Sequence, residues 1–302
     1  MDNLLIFEDG QIIKNMSFMN LWNGLFSKVK KDGYVITYLQ SCLPNNSICV
    51  IPHSDGNIKK IKKNNEYSDV DWLSIQYYID DAKNKKKVFI LCVLCQIEEE
   101  KDINYLYLPL DDDLFEFGLN TFFPEEKLIK WENRSSDLCW RGGCSGIGGN
   151  KSLRVRFVEK LFDYKNSKNV RLARWWRDNK NIPTQFFDNK LHYTEFLNYK
   201  IFFIVDGNVI ASNHMYAFAT GCIPFMISNG KCWFTKYCIP YVHYIPIKYD
   251  LSDLIEKIEW VENNDEQAKI IAQNARDFSN IYFSTEFQKK YIKESINMFF
   301  QS

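Results

Sequence analysis

Asp137-Leu138-Cys139-Trp140-Arg141-Gly142-Gly143-Cys144-Ser145-Gly146-Ile147-Gly148-Gly149 places five of the chain's 13 glycines within eight positions. Leu138-Cys139-Trp140 reads as the end of a strand, and Ser152 to Phe162 as a basic helix with apolar periodicity. Strand, glycine loop and helix in this order form a layout that binds phosphate. Glycines let backbone N–H groups approach an anion, and the helix N-terminus adds a favourable dipole. Arg141 before the loop, and Arg154 and Arg156 after it, stand where they would add charge to the same anion. Neither familiar fingerprint is spelled: no Gly-Lys-[Ser/Thr] closes the loop, and Gly146-Ile147-Gly148-Gly149 lacks the dinucleotide spacing. On composition alone, a flexible turn and a phosphate loop both stay open.

Outward from this loop the chain alternates between strand and helix patterns. Towards the N-terminus, Tyr34 to Leu39 is rich in β-formers, and Ser47 to Ile51 is a short apolar run ended by Pro52. Asp69 to Ala82 has the spacing of an amphipathic helix. Val88 to Cys95 reads as a strand buried on both faces, the mark of a parallel sheet, and Tyr105 to Leu110 as the next strand. Towards the C-terminus, strands are expected at Asn169–Leu172, Tyr199–Val205, Cys222–Ile227 and Tyr241–Ile247. Helices are expected at Asn213–Thr220 (closed by Gly221), Asp253–Glu262, Asp265–Phe278 and Thr285–Phe300.

Pro124-Glu125-Glu126-Lys127 reads as a boundary. It separates an N-terminal acceptor domain, 1–125, from a C-terminal donor domain, 126–284, with the helix in 285–302 returning to the first. The expected class is α/β, with two Rossmann-like domains facing a cleft. In such sheets ligands sit beyond the carboxyl ends of the strands. Asp111–Asp113, Gly142–Gly149 and Asp206–Asn213 all follow strands.

The bulk numbers exclude several classes. The 38 basic and 38 acidic residues cancel, which argues against a dedicated nucleic-acid binder. No run approaches the ~18 apolar residues of a membrane span. The acidic first nine residues do not resemble a signal peptide, which predicts a cytosolic location. Nine scattered cysteines suit reduced core thiols, and Cys92-Val93-Leu94-Cys95 has no second pair at metal spacing. The histidines, His53, His192, His214 and His243, spell no metal site, so no metal is expected. His214, beside the second loop, is the better candidate for a site contact. Asp111-Asp112-Asp113 suits an ordinary turn, and also a general base at a cleft mouth; Glu98-Glu99-Glu100 competes for that role.

Tyr199-Lys200-Ile201-Phe202-Phe203, Asp206-Gly207, Ala211-Ser212 and Gly221-Cys222 follow one another in an order that resembles the C-terminal core of glycosyltransferase family 90. That family includes protein O-glucosyltransferases and fungal capsule-associated xylosyltransferases. Val242 to Lys248, Asp250 to Leu254, Asn264-Asp265 and Ile271-Ala272 are similar to its closing motif, and Trp140-Arg141-Gly142 with Arg154 to its aromatic-Arg-Gly loop. The resemblance covers about residues 138–283. It implies a GT-B fold and an inverting, metal-independent transfer from a UDP-sugar, xylose ahead of glucose, to a glycan or glycoprotein acceptor.

Arg141, Gly142, Gly143, Ser145 and Arg154 would then meet the donor diphosphate, with Gly207, Ser212, Asn213 and His214 at the second phosphate-facing loop. Two departures stand out. The family's arginine after the serine of the second loop is replaced by Asn213-His214, so that His214 would have to act protonated or the charge come from elsewhere. The catalytic aspartate expected after Val88–Cys95 is missing, leaving Asp112 as first choice of base and Glu98 as second. The missing aspartate also keeps a second reading open, a UDP-sugar- or carbohydrate-binding protein without catalysis. The Lys-, Asn- and Ile-rich composition suits an AT-rich viral or microbial genome.

Overall fold

The structure, a computed structural model, describes residues 4–15, 34–45, 47–52, 57–58, 87–92, 96–97, 105–109, 123–146, 148–174, 181–208, 210–211 and 213–301. The expected helix at Asp69–Ala82 lies outside them. The chain divides into two compact units, one comprising 1–118, 231–235 and 283–302, the other 119–230 and 236–282.

The first unit is built on a five-stranded sheet in the order β2-β1-β3-β5-β7. β1 (Leu4–Glu8) and β2 (Gln11–Asn15) form an antiparallel hairpin. Its turn, Asp9-Gly10, has positive φ at both residues (51° and 73°), the tight turn that matches strand twist and that Asp-Gly favours. β3 (Ser47–Pro52), β5 (Lys87–Cys92) and β7 (Tyr105–Tyr107) then run parallel to one another. β4 (Asn57–Ile58) and β6 (Gln96–Ile97) pair separately.

The β-formers of Tyr34–Leu39 make a helix instead, α1 (Tyr34–Cys42). Leu39 and Leu43, four apart, are both buried, and the Tyr38 hydroxyl donates to the Lys289 carbonyl at 3.1 Å. Tertiary docking overrides a weak local preference here.

The second unit holds two three-stranded parallel sheets. One is β10 (Phe187–Asp188), β9 (Asn169–Ala173) and β8 (Cys139–Gly142); the other is β11 (Ile201–Val205), β12 (Ile223–Ile227) and β13 (Ile245–Pro246). They meet edge to edge at β8 and β11, where Ser135 N–H donates to Asn198 O and Lys200 N–H to Ser135 O just ahead of the two strands. The combined order β10-β9-β8-β11-β12-β13 reads 3-2-1-4-5-6 in chain sequence, the doubly wound arrangement. The α/β class expected from the sequence is therefore the one adopted. The run Tyr241–Ile247 contributes only Ile245–Pro246 as strand, because Tyr241 takes a positive φ of 61° in the preceding turn.

Helix α2 (Leu153–Leu161) crosses from β8 to β9, and α3 (His214–Ala219) from β11 to β12. α4 (Leu254–Asn263), α5 (Asp265–Tyr282) and α6 (Thr285–Gln301) follow; α6 belongs to the first unit. An edge-to-face aromatic series runs from Trp140 through Phe157 and Phe203 to Phe225, with ring centroids 5.4, 5.1 and 5.5 Å apart. It locks α2 onto β8, β11 and β12.

The C-terminus of α3 ends on two buried arginines. Arg134 donates to Thr220 O at 2.7 Å, and to Ile129 O and the Cys222 sulfur at 2.9 Å each; Arg276 donates to Ala219 O and, at 2.8 Å, to Phe123 O. They satisfy carbonyls that a helix end leaves open and place positive charge at its negative pole. Phe157→Ala should cost ~3–5 kcal/mol in denaturant unfolding, since Phe157 is fully buried at the centre of the aromatic series. A loss below ~1 kcal/mol would mean that the series does not hold α2 in place.

Candidate functional site

In a sheet of order 3-2-1-4-5-6 the crevice for ligands opens where the order reverses, beyond the carboxyl ends of the first and fourth strands. Here these are β8 and β11. The loop after β8 is the glycine loop, and the loop after β11 is Asp206–Asn213. The two loops meet.

Arg154, in the first turn of α2, joins them. Its Nε donates to Val205 O at the end of β11 (3.1 Å), and its Nη1 to Gly143 O (3.3 Å) and Ser145 Oγ (2.8 Å) in the glycine loop. Gly207 lies so close that a Cβ there would stand 2.9 Å from Ser145 Oγ and 3.1 Å from Arg154 Cζ. A Cβ on Gly146, whose φ is +129°, would approach Gly207 O to 3.4 Å. A side chain on Gly207 would crowd Ser145 and Arg154, and Gly146 holds a φ that side chains rarely adopt. Ser152, the N-cap of α2, is wholly buried, and its hydroxyl has no partner among the described residues. Asn213 is the N-cap of α3, and its Oδ1 is likewise buried without a partner among them.

Of the residues expected at the site, Gly143, Ser145, Arg154 and Gly207 are brought together. Gly142 is a neighbour with a structural duty, because a Cβ there would come within 2.5 Å of the Trp140 ring. Asn213 opens α3 beyond Gly207. Asp112, Glu98 and Ser212 lie outside the described residues.

Arg141 and His214 have other surroundings than the glycine loop. Arg141 is paired across the sheet. Its side chain is 4% exposed, pairs with Asp188 Oδ2 at 3.1 Å and donates to Asn169 O at 3.3 Å, so its charge is spent joining β8 to β9 and β10. His214 is no cation. Its ring is buried, Nδ1 hydrogen-bonds to Ala211 O, and burial pulls its pKa down to about 4. At neutral pH it is uncharged, because a buried imidazolium would lack the hydration it has in water. His243 is a turn residue whose Nδ1 accepts from Ile239 N–H at 3.0 Å.

Asp206, which opens the second loop, has a property that the sequence pattern does not carry. Asp206, at the end of β11, is buried, and burial raises its pKa to about 6 against the pull of Ser228, Asn229, Ala211 and Arg154. Its signal was a carboxylate directly ahead of a glycine at a strand end, which is easily read as a turn. Among the described residues, no group of three His, Cys, Asp or Glu side chains is placed to hold a metal, and no helix is long and apolar enough to cross a membrane.

The sequence profile of Glycosyl transferase family 90 matches residues 119–299. The chain belongs to this family. Protein O-glucosyltransferase 2 of Danio rerio is 36% identical over 93 residues, 30% of this chain and 18% of that one. Protein O-glucosyltransferase 1 of Rattus norvegicus is 28% identical over 152 residues, 49% of this chain and 37% of that one. Protein 179R of Invertebrate iridescent virus 6 is 31% identical over 189 residues, 52% of this chain and 16% of that one. The match therefore spans well under half the length of each relative. Among solved structures, the crystal structure of TarM aligns over 82% of this chain and 49% of that one, with a TM-score of 0.46 at 14% identity.

The matched region contains the whole β8–β11 crevice, including the position at which this family member carries a neutral histidine. His214 has a folded pKa below its unfolded value. Its contribution to stability is therefore complete above about pH 6.5 and is lost as pH falls towards about 4. The stability difference between the wild type and His214→Gln should shrink over that window in pH-dependent melting curves. A constant difference would show that His214 is not buried in its neutral form.

Proposed function

We propose that the chain is a glycosyltransferase that moves a sugar from a UDP-sugar to a hydroxyl of a glycan or protein acceptor, with inversion and without a metal. One observation carries the reading: Arg154 joins the glycine loop to the end of β11 at the strand-order reversal of a family 90 chain. A diphosphate leaving without a metal needs cations and backbone N–H groups aimed at it. Arg154 supplies a forked cation, and the loops after β8 and β11 supply the N–H groups. With Arg141 bound to Asp188 and His214 neutral, Arg154 takes the larger share of the charge.

In the proposed reaction the acceptor hydroxyl gives its proton to a carboxylate, Asp112 first and Glu98 next. Its oxygen bonds to the anomeric carbon from the face opposite the diphosphate, and the bond to UDP breaks with its electron pair leaving on UDP. UDP-xylose stands ahead of UDP-glucose as donor, and the relatives named O-glucosyltransferases make UDP-glucose the necessary comparison. The other reading, a UDP-sugar-binding protein without catalysis, keeps the same crevice and lacks the base.

Incubation with each UDP-sugar and detection of released UDP separates the two readings. Binding without release or transfer for either donor would sink the enzyme reading. Arg154→Ala should weaken UDP binding by about tenfold or more, the loss of a charge-assisted phosphate contact, with Arg154→Lys intermediate because it keeps charge without the fork. Asp112→Asn should abolish transfer and leave UDP affinity nearly intact, as titration calorimetry beside the turnover assay would show. Unchanged turnover would move the base to Glu98.

A further inference from the structure

Among the described residues, the proposed reaction leaves one buried acid without a duty. Asp206 is 5% exposed and connects three segments. Its backbone N–H donates to Ile227 O at 3.3 Å, extending the β11–β12 pairing by one step. Its Oδ2 accepts from Asn229 N–H at 3.2 Å, and Ser228 Oγ beside it accepts from Gly230 N–H at 3.0 Å. On its other side the chain passes directly into Gly207, against which Ser145 and Arg154 pack. One side chain therefore ties the turn after β12 to the start of the loop that forms half of the crevice.

We propose that Asp206 is a positioning residue of the UDP-sugar site: its carboxylate holds the start of the loop after β11, at Gly207, against Ser228–Gly230, and protonation releases that hold. The inference rests on reading this crevice as the donor site.

The charged and titratable groups that face Asp206 come from every element around it. Arg154 reaches it from α2, and its charge favours the carboxylate. Tyr249, after β13, feels the charge of Asp206, which raises its phenol pKa further beyond the effect of burial, while Arg156 of α2 lowers it. His214, at the start of α3 beyond the loop, stays neutral down to about pH 4. Between pH 5 and 8, Asp206 is the member of this set that changes charge, because burial brings its pKa to about 6.

The sign of its effect on stability separates positioning from simple support. The folded pKa lies above the unfolded 3.8, so the folded chain holds the proton more tightly. Raising the pH from about 4 to about 6 therefore costs stability, and the cost is complete above that window. A carboxylate that served the fold alone would be better as an amide. Asp206→Asn should thus melt at the same or a higher temperature than the wild type at pH 7.5, with a smaller gap at pH 5. Where stability is gained and binding lost, the acid serves the site.

The test uses UDP-glucose, whose diphosphate diester does not titrate in this range. Calorimetry from pH 5 to 8 should show wild-type affinity falling by about tenfold on acidification, as one charge-assisted hydrogen bond weakens. Asp206→Asn should bind about tenfold more weakly than the wild type at pH 7.5 and give a nearly flat profile. Amide hydrogen exchange supplies a readout independent of ligand: in the variant, peptides covering 207–213 and 228–230 should exchange faster together while β11 and β12 stay protected. Unchanged exchange in those two segments, or a variant profile that still falls with acid like the wild type, overturns the proposal. If neither protein binds UDP-glucose at any pH while exchange rises as stated, the positioning stands and the donor reading fails.

Discussion

The candidate site depends on one guanidinium. Arg154 sits in the first turn of α2, yet its donors serve the carbonyl that ends β11 and two groups of the loop that ends β8. A helix-borne cation bonded to both strand ends holds the switch point of the sheet closed on itself. Gly207 is the steric counterpart, since a Cβ there would crowd Ser145 Oγ and the Arg154 guanidinium. Around this junction lie a capping serine and asparagine whose buried oxygens find no partner among the described residues.

The far end of α3 shows how the loop is held from behind. Arg134 and Arg276, both buried, close on the Thr220 and Ala219 carbonyls and carry the helix end to the backbone of Ile129 and Phe123. α3 is short, so little of its stability is its own; these bonds and the packing of Phe218 on Phe278 fix it from outside. With α3 fixed, the chain from Asp206 to Asn213 has both ends anchored. The same burial deprives His214 of its charge, which leaves the crevice poorer in cations than the motif around it suggests.

Much of the second unit was legible in the sequence. The strands around 201–205 and 223–227, and the helices around 153–161 and 254–263, follow from apolar runs and 3.6-residue spacing. The first unit was less so. Tyr34–Leu39 has the residues of a strand and forms a helix, since Leu39 is buried one turn before Leu43 and Tyr38 meets α6. The Asp9-Gly10 turn is a two-residue signal between short strands that carry little apolar alternation of their own. Tyr241–Ile247 alternates like a strand but is bent by a left-handed tyrosine.

By itself the sequence determined the alternation of strands and helices, the glycine loop and the family, because these are written in local spacing and motif order. Only the tertiary structure decided which side chains have charge to offer. Arg141 and Arg154 look equivalent on paper, yet one is spent on Asp188 and the other spans the crevice. His214 and Asp206 are ordinary in sequence, and burial makes the first neutral and brings the second to titrate near pH 6. Ion pairing and desolvation depend on neighbours distant in the chain, which no local pattern records.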